Sequence, residues 1–185
     1  VLFRSKIFRK SIIYENRIGF NTKMQLSEDS DFTLHYLMHC SRISISDTIF
    51  YHYSIDNEST MRSNADKKVL QYIEAMNITS KYIEKQHENV QLAFNDYILM
   101  HLNIACVRGI FCVNNKENYV KKIEHIKKII NTPVFKDAIK KFHIKNNFSA
   151  RTLPVFFMKY KLVHIASIIY IVRAYQNYIY EKSRN

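Results

Sequence analysis

The chain has 185 residues, enough for one domain or for one small domain with an appendage. Hydrophobic residues make up 47% of it and aromatic residues 14%, which excludes an intrinsically disordered class. It contains two glycines and no Walker A or GxGxxG pattern, which argues against a complete nucleotide-binding domain within these residues.

The formal net charge of +12 is unevenly distributed along the chain. Residues 1–63 hold eight Lys/Arg and seven Asp/Glu, a net charge of +1, whereas residues 64–185 hold 20 and nine, a net charge of +11. A field of this sign attracts nucleic acid or an anionic membrane surface. The same composition is also typical of Lys-rich helices with solvated faces.

The N-terminal third predicts a mixture of helix and strand. Residues 6–15 are expected to form a short helix or turn, and Ser27 or Asp29 can cap a helix whose apolar residues recur at helical spacing. Residues 43–53 alternate apolar and polar side chains, which predicts one or two strands.

After residue 63 the pattern is helical. The predicted helices before residue 150 cover residues 64–83, 90–109, 117–130 and 135–142. The last helix begins near Leu153 and Pro154, with proline in its first turn, and continues toward Glu181, which would make it roughly 40 Å long. The predicted fold class is therefore α+β, mainly α.

Several short segments follow one another in a fixed order between residues 6 and 63. They are K-I-F-R, E-N, I-G-F, S-E-D-S-D-F, I-S-I, Y-H-Y and S-T-M-R. In this order they resemble the half after the donor site of bacterial family-two glycosyltransferases of the GT-A fold. The resemblance implies that residues 6–63 are the C-terminal part of such a domain and residues 64–185 a basic helical appendage.

In that family an acidic residue of the E-D motif is the general base that takes the acceptor's hydroxyl proton. The resemblance assigns Asp29 as the base and Glu28 as its supporting neighbour, whereas capping preference alone makes both of them helix-start residues. It implies an inverting transfer from a nucleotide-sugar donor to a saccharide acceptor, lipid-linked in many members, in surface-polysaccharide synthesis. It also implies a cytoplasmic enzyme, peripheral on the inner face of the cell membrane.

The resemblance leaves the donor side outside the chain. A strand with a nucleotide-binding carboxylate, and the D-x-D ligands of a divalent metal (Mg or Mn), would precede Lys6, so the chain alone is expected to be inactive. Residues 1–5 match one translation of a common sequencing-adapter end and are expected to be non-native.

Two other groups of residues could bind metal or form disulfides. His35 and His39 have the i, i+4 spacing of metal ligands, but they supply two of the usual four zinc ligands, and ordinary histidines are the favoured interpretation. The three cysteines form no CxxC and are odd in number, which indicates a reducing compartment without a disulfide framework.

Residues 162–172, LVHIASIIYIV, form a strongly apolar run that is too short to cross a bilayer, which takes about 20 such residues. Basic residues on both sides and many tyrosines fit a helix lying in a membrane interface. A core helix of the appendage explains the same pattern equally well.

Two further function classes stay open. The charge of residues 64–185 fits a basic helical nucleic-acid-binding module, although no helix-turn-helix or RNA-binding signature is present. A structural interaction module without catalytic activity is the other alternative.

Overall fold

The computed structural model describes residues 6–49, 65–144 and 148–183. The chain divides into two compact units, Val1–Ser59 and Thr60–Asn185. Every regular element within the described residues is a helix, so the prediction of a mainly α chain is confirmed.

The first unit contains two helices within its described residues, α1 (Lys10–Glu15) and α2 (Glu28–Met38). None of the six residues of α1 is buried, whereas α2 buries Phe32 and Tyr36. Met24, from the segment that connects the helices, is also buried. The small core of this unit is therefore built around one face of α2.

The predicted strand is wrong over the part that can be compared. Residues 43–49 are irregular, and Ile43, Ile45 and Ile49 are each at least 68% exposed. A strand needs a neighbouring strand for its backbone hydrogen bonds, and the described residues of this unit provide none. Residues 50–53, the remainder of the predicted strand, lie outside the described residues.

The second unit contains six α-helices within its described residues. They are α3 (Ala65–Ile83), α4 (Glu88–Ile104), α5 (Tyr119–Ile130), α6 (Pro133–Lys141), α7 (Leu153–Lys159) and α8 (Val163–Lys182). A π-helical segment, Ala105–Ile110, continues α4 directly. The four helices predicted before residue 150 are confirmed as α3 to α6.

The core of the second unit forms where the π-helical segment meets α3 and α8, beside the contact of α4 with α6. Its fully buried apolar side chains include Met76, Leu102, Ile110, Ile126, Phe135 and Tyr170. Burial of one such side chain stabilises the fold by roughly 1.5–3 kcal/mol. These six come from five of the helices and the π-helical segment, so this core joins most of the unit.

The prediction of one continuous last helix is wrong, because the chain turns between α7 and α8. Lys161 has a left-handed backbone, with φ 62. Its N–H donates to the Met158 carbonyl at 2.9 Å, and the Leu162 N–H donates to the Phe157 carbonyl at 2.8 Å. These two bonds form a Schellman motif, which ends α7. The helix α8 has 20 residues and is therefore about 30 Å long.

Candidate functional site

The acidic pair lies at the start of α2. Glu28 and Asp29 are the first two residues of the helix, and both are partly exposed. Ser27, at the N-cap position, has a left-handed backbone (φ 66, ψ 16), and its side chain makes no capping hydrogen bond. The side-chain cap predicted for Ser27 is therefore wrong, and the acidic pair follows directly on a strained residue.

Short-range hydrogen bonds orient the Asp29 carboxylate. Its Oδ1 accepts hydrogen bonds from the Ser30 N–H at 2.7 Å and from the Ser30 hydroxyl at 3.4 Å. The Thr33 hydroxyl donates to the Asp29 carbonyl at 2.7 Å, one turn further along α2. A partly exposed carboxylate held in this way can accept a proton from a hydroxyl that binds beside it.

Lys6 places a positive charge within electrostatic reach of Asp29. Burial lowers the pKa of the Lys6 ammonium, and the negative charge of Asp29 opposes that shift. The first described residue of the chain therefore lies close to the acidic start of α2.

Aromatic side chains determine how the segments around α2 meet. Phe8 packs edge-on against Phe32 and Tyr36, with ring centroids 5.3 Å and 4.9 Å apart, and Phe20 stacks on Phe32 at 4.6 Å. The Arg9 N–H donates to the Tyr36 hydroxyl at 2.7 Å. The segments K-I-F-R and I-G-F thus both contact S-E-D-S-D-F, through Phe32.

Asp31 has an environment that the sequence analysis missed. It is 1% exposed, and the Nδ1 of His35 lies 3.8 Å from its Oδ2. A buried carboxylate beside an imidazole one helical turn away has a structural role, because a charge without such a partner would be costly to bury. The i, i+4 spacing of Asp31 and His35 was the sequence signal that could have indicated this pair.

The described residues contain no group of three or more His, Cys, Asp or Glu that could hold a metal ion. Asp29 and Asp31 have D-x-D spacing, but residues two apart on a helix do not face each other, and Asp31 is buried. His39 follows the end of α2 and is exposed. These residues do not fit the divalent metal that the resemblance implies.

The buried cysteine, Cys106, is not a reactive nucleophile. Cys40, Cys106 and Cys112 are all free. Burial strongly raises the pKa of the Cys106 thiol, which lies against Tyr170. Because the thiolate is the reactive form, a thiol held protonated in this way is inert.

A groove lies in the second unit, between α3, α4 and α6. The groove has a volume of about 650 Å³. Lys81, Glu84, Asp137 and Lys141 line it, and the Nζ of Lys141 lies 2.7 Å from the Oδ2 of Asp137. Two positive and two negative side chains balance, so the charge of the groove does not identify a class of ligand.

Comparisons of the chain with protein-family models, with curated proteins and with solved structures give no match. The expectation of a glycosyltransferase therefore depends only on the resemblance of the ordered segments in residues 6–63. Three of those segments meet on α2, where Phe8 and Phe20 both pack against Phe32.

Proposed function

We propose that the chain is the acceptor-side and C-terminal portion of an inverting bacterial glycosyltransferase of the GT-A fold. The observation that carries the proposal is the packing of Phe8 and Phe20 on Phe32. These rings belong to three segments that follow the family's order, and they meet beside a partly exposed acidic pair. A helix cap needs no such convergence of segments from elsewhere in the chain.

Asp29 is the general base of the proposed reaction. The acceptor's hydroxyl oxygen forms a bond to the anomeric carbon of the donor sugar, while the bond from that carbon to the nucleoside diphosphate breaks. The hydroxyl proton passes to the Asp29 carboxylate, which Ser30 holds in place. Attack on the face opposite the leaving group inverts the configuration at that carbon, and Glu28 shapes the acceptor site beside the base.

The remaining parts of the proposal concern partners and location. The acceptor is a saccharide, lipid-linked, and the enzyme acts in surface-polysaccharide synthesis at the cytoplasmic face of the cell membrane. The residues that hold the nucleotide sugar and the divalent metal would precede Lys6 in the intact enzyme. Each of these statements follows from the resemblance of residues 6–63.

The reading frame that encodes the intact protein provides the test. Upstream of Lys6 it should encode about 90 to 120 residues, roughly the rest of one domain, with a Val/Ile-rich strand, an early Asp and a D-x-D motif. The intact protein, incubated with labelled nucleotide sugars and a bacterial lipid extract, should transfer the label. EDTA should stop the transfer, and Mg²⁺ or Mn²⁺ should restore it. An upstream frame without these motifs, or no transfer from any donor, would contradict the proposal.

A further inference from the structure

The helix α8 has one face buried in the second unit and an opposite face exposed to solvent, and both faces are largely apolar. Its buried residues are Val163, Ala166, Ser167, Tyr170 and Ala174. The side turned to solvent carries large apolar residues at every third or fourth position, each 42–60% exposed. We call this set the α8 outer face: Ile165, Ile168, Val172, Tyr175 and Ile179.

The distribution of side-chain size on α8 is the reverse of that in an ordinary core helix. Three of the five buried residues are Ala or Ser, whereas the outer face consists of Ile, Val and Tyr. Its apolar stripe extends over 14 residue steps, about 21 Å along the helix. A contiguous exposed apolar surface of this kind marks an interaction site.

The first turn of α5 extends this surface. The Tyr119 hydroxyl lies 3.0 Å from the Nδ1 of His164, at the start of α8. Tyr119 and its neighbour Val120 are 42% and 65% exposed. The apolar surface is therefore wider than a single helix at its N-terminal end.

We infer that the α8 outer face docks on an anionic lipid membrane. The charge of residues 64–185, +11, is complementary to such a surface, and exposed Lys161 and Lys182 stand at the two ends of α8. Exposed Tyr175, Tyr178 and Tyr180 are residues that favour the boundary between lipid and water. A helix with one exposed apolar face lies in the plane of the interface, and this is the orientation that we infer for α8. No helix in the described parts of the chain is long and apolar enough to cross a membrane.

A second copy of the chain is less suited than an anionic membrane to cover the α8 outer face. Each copy carries a net charge of +12, so two copies repel each other, whereas an anionic bilayer attracts each of them. The inference does not rest on the proposed sugar transfer, since it uses residues of the second unit alone.

The absence of tryptophan from the sequence allows a direct test. In the 185-residue chain, Ile168→Trp introduces the only tryptophan, on the outer face, and it can be excited at wavelengths that the 13 tyrosines do not absorb. Vesicles of phosphatidylglycerol and phosphatidylcholine should shift its emission to the blue, because the indole enters an apolar environment, and pure phosphatidylcholine should shift it less. Leu92→Trp, at a 55% exposed site on α4, is the matched control and should not respond. Equal responses, or none from Ile168→Trp, would overturn the inference.

Flotation with the same vesicles measures the contribution of the face to binding. The double variant Ile168→Asn/Ile179→Asn should lower the partition constant roughly tenfold or more, because two apolar side chains no longer enter the bilayer. Leu92→Asn/Met100→Asn, which changes two exposed apolar residues of α4, should bind like the wild type. Circular dichroism verifies that each variant is folded. A wild-type dimer that Ile168→Asn/Ile179→Asn dissociates in sedimentation velocity would instead identify the face as a self-association surface.

Discussion

At the residue scale, the three carboxylates within the first turn of α2 differ in their exposure. Glu28 and Asp29 are partly exposed, whereas Asp31 is 1% exposed beside His35. The acidic pair could be singled out from the sequence as catalytic candidates. The burial of Asp31 could not be predicted, because it depends on tertiary packing and not on the local sequence pattern.

Tyr36 provides a test of how the segment before α1 is held against α2. Tyr36→Phe keeps the ring and removes only the hydroxyl that accepts from the Arg9 N–H, so it should destabilise that contact by roughly 1 kcal/mol. The Arg9 amide should then exchange with solvent faster in hydrogen-exchange measurements. Tyr14→Phe, at a 69% exposed site on α1, should leave that exchange unchanged. Unaltered exchange in Tyr36→Phe would show that this hydrogen bond does not hold the segment.

Glu117 makes the second unit sensitive to acid. Burial alone raises the pKa of Glu117, but hydrogen bonds from Asn115 and His125 and the charges of His125 and Lys121 outweigh it and lower the pKa. The lengths of these bonds are 3.2 Å and 3.1 Å. An unfolded Glu titrates near pH 4.3. The stabilisation is therefore present above that pH and is lost as the pH falls through the lower folded value.

Glu117→Gln should reduce the free energy of unfolding by roughly 1 kcal/mol near pH 6, since it removes a charged hydrogen-bond acceptor. The difference from the wild type should shrink as the pH is lowered below the value of about 4.3 at which an unfolded Glu titrates and through the lower folded value. Urea unfolding across this range measures the effect. Glu124→Gln, at an exposed site on α5, is the control. A difference that stays constant or grows on acidification would contradict the account.

At the element scale, α1 and α7 end in the same way although the chain has only two glycines. After α1, the Arg17 N–H donates to the Tyr14 carbonyl at 3.2 Å and the Ile18 N–H to the Ile13 carbonyl at 2.9 Å. This is the Schellman motif again, with Arg17 at φ 51 in the position that glycine usually occupies. With glycine this scarce, Arg17 and Lys161 take the left-handed positions instead.

Lys161, in the turn between α7 and α8, tests whether a left-handed backbone in a residue other than glycine strains the turn. Lys161→Gly should raise the free energy of unfolding by roughly 1 kcal/mol, because glycine adopts φ 62 without the steric cost of a Cβ. Lys127→Gly, the same substitution at an exposed helical site in α5, should lower it by a similar amount. Urea unfolding of the two variants measures both changes. A loss of stability in Lys161→Gly would show that the turn is not strained.

The helices were predictable from the sequence to the extent that periodicity determines them. In α5, Ile123 and Ile126 are buried and Lys121, Lys127 and Lys128 are exposed, as the spacing indicated. The spacing also placed Val120 and Ile130 in the core, but Val120 is 65% exposed and Ile129 is buried instead of Ile130. The predicted strand failed over residues 43–49, because alternation does not provide a pairing partner. The break between α7 and α8 was missed because no glycine marks it, although Lys159 and Lys161 interrupt the apolar pattern there.

At the scale of the whole molecule, the two units carry different chemistry. The first presents an acidic helix start, and the second combines a net charge of +11 over residues 64–185 with the α8 outer face. The nucleic-acid alternative predicts salt-dependent binding to random duplex or single strands. Such binding would depend on the lysines and would be unaffected by Ile168→Asn/Ile179→Asn, whereas membrane binding requires that face.

The most direct test of the proposed function is the rate of sugar transfer by Asp29→Asn in the intact protein. Loss of the base should lower the single-turnover rate by roughly 10²–10⁴-fold and leave the thermal midpoint nearly unchanged, because Asp29 is partly exposed. Asp96→Asn, at an exposed site on α4, should transfer sugar like the wild type. A rate for Asp29→Asn equal to that of Asp96→Asn would show that Asp29 is a helix-start residue and not the base.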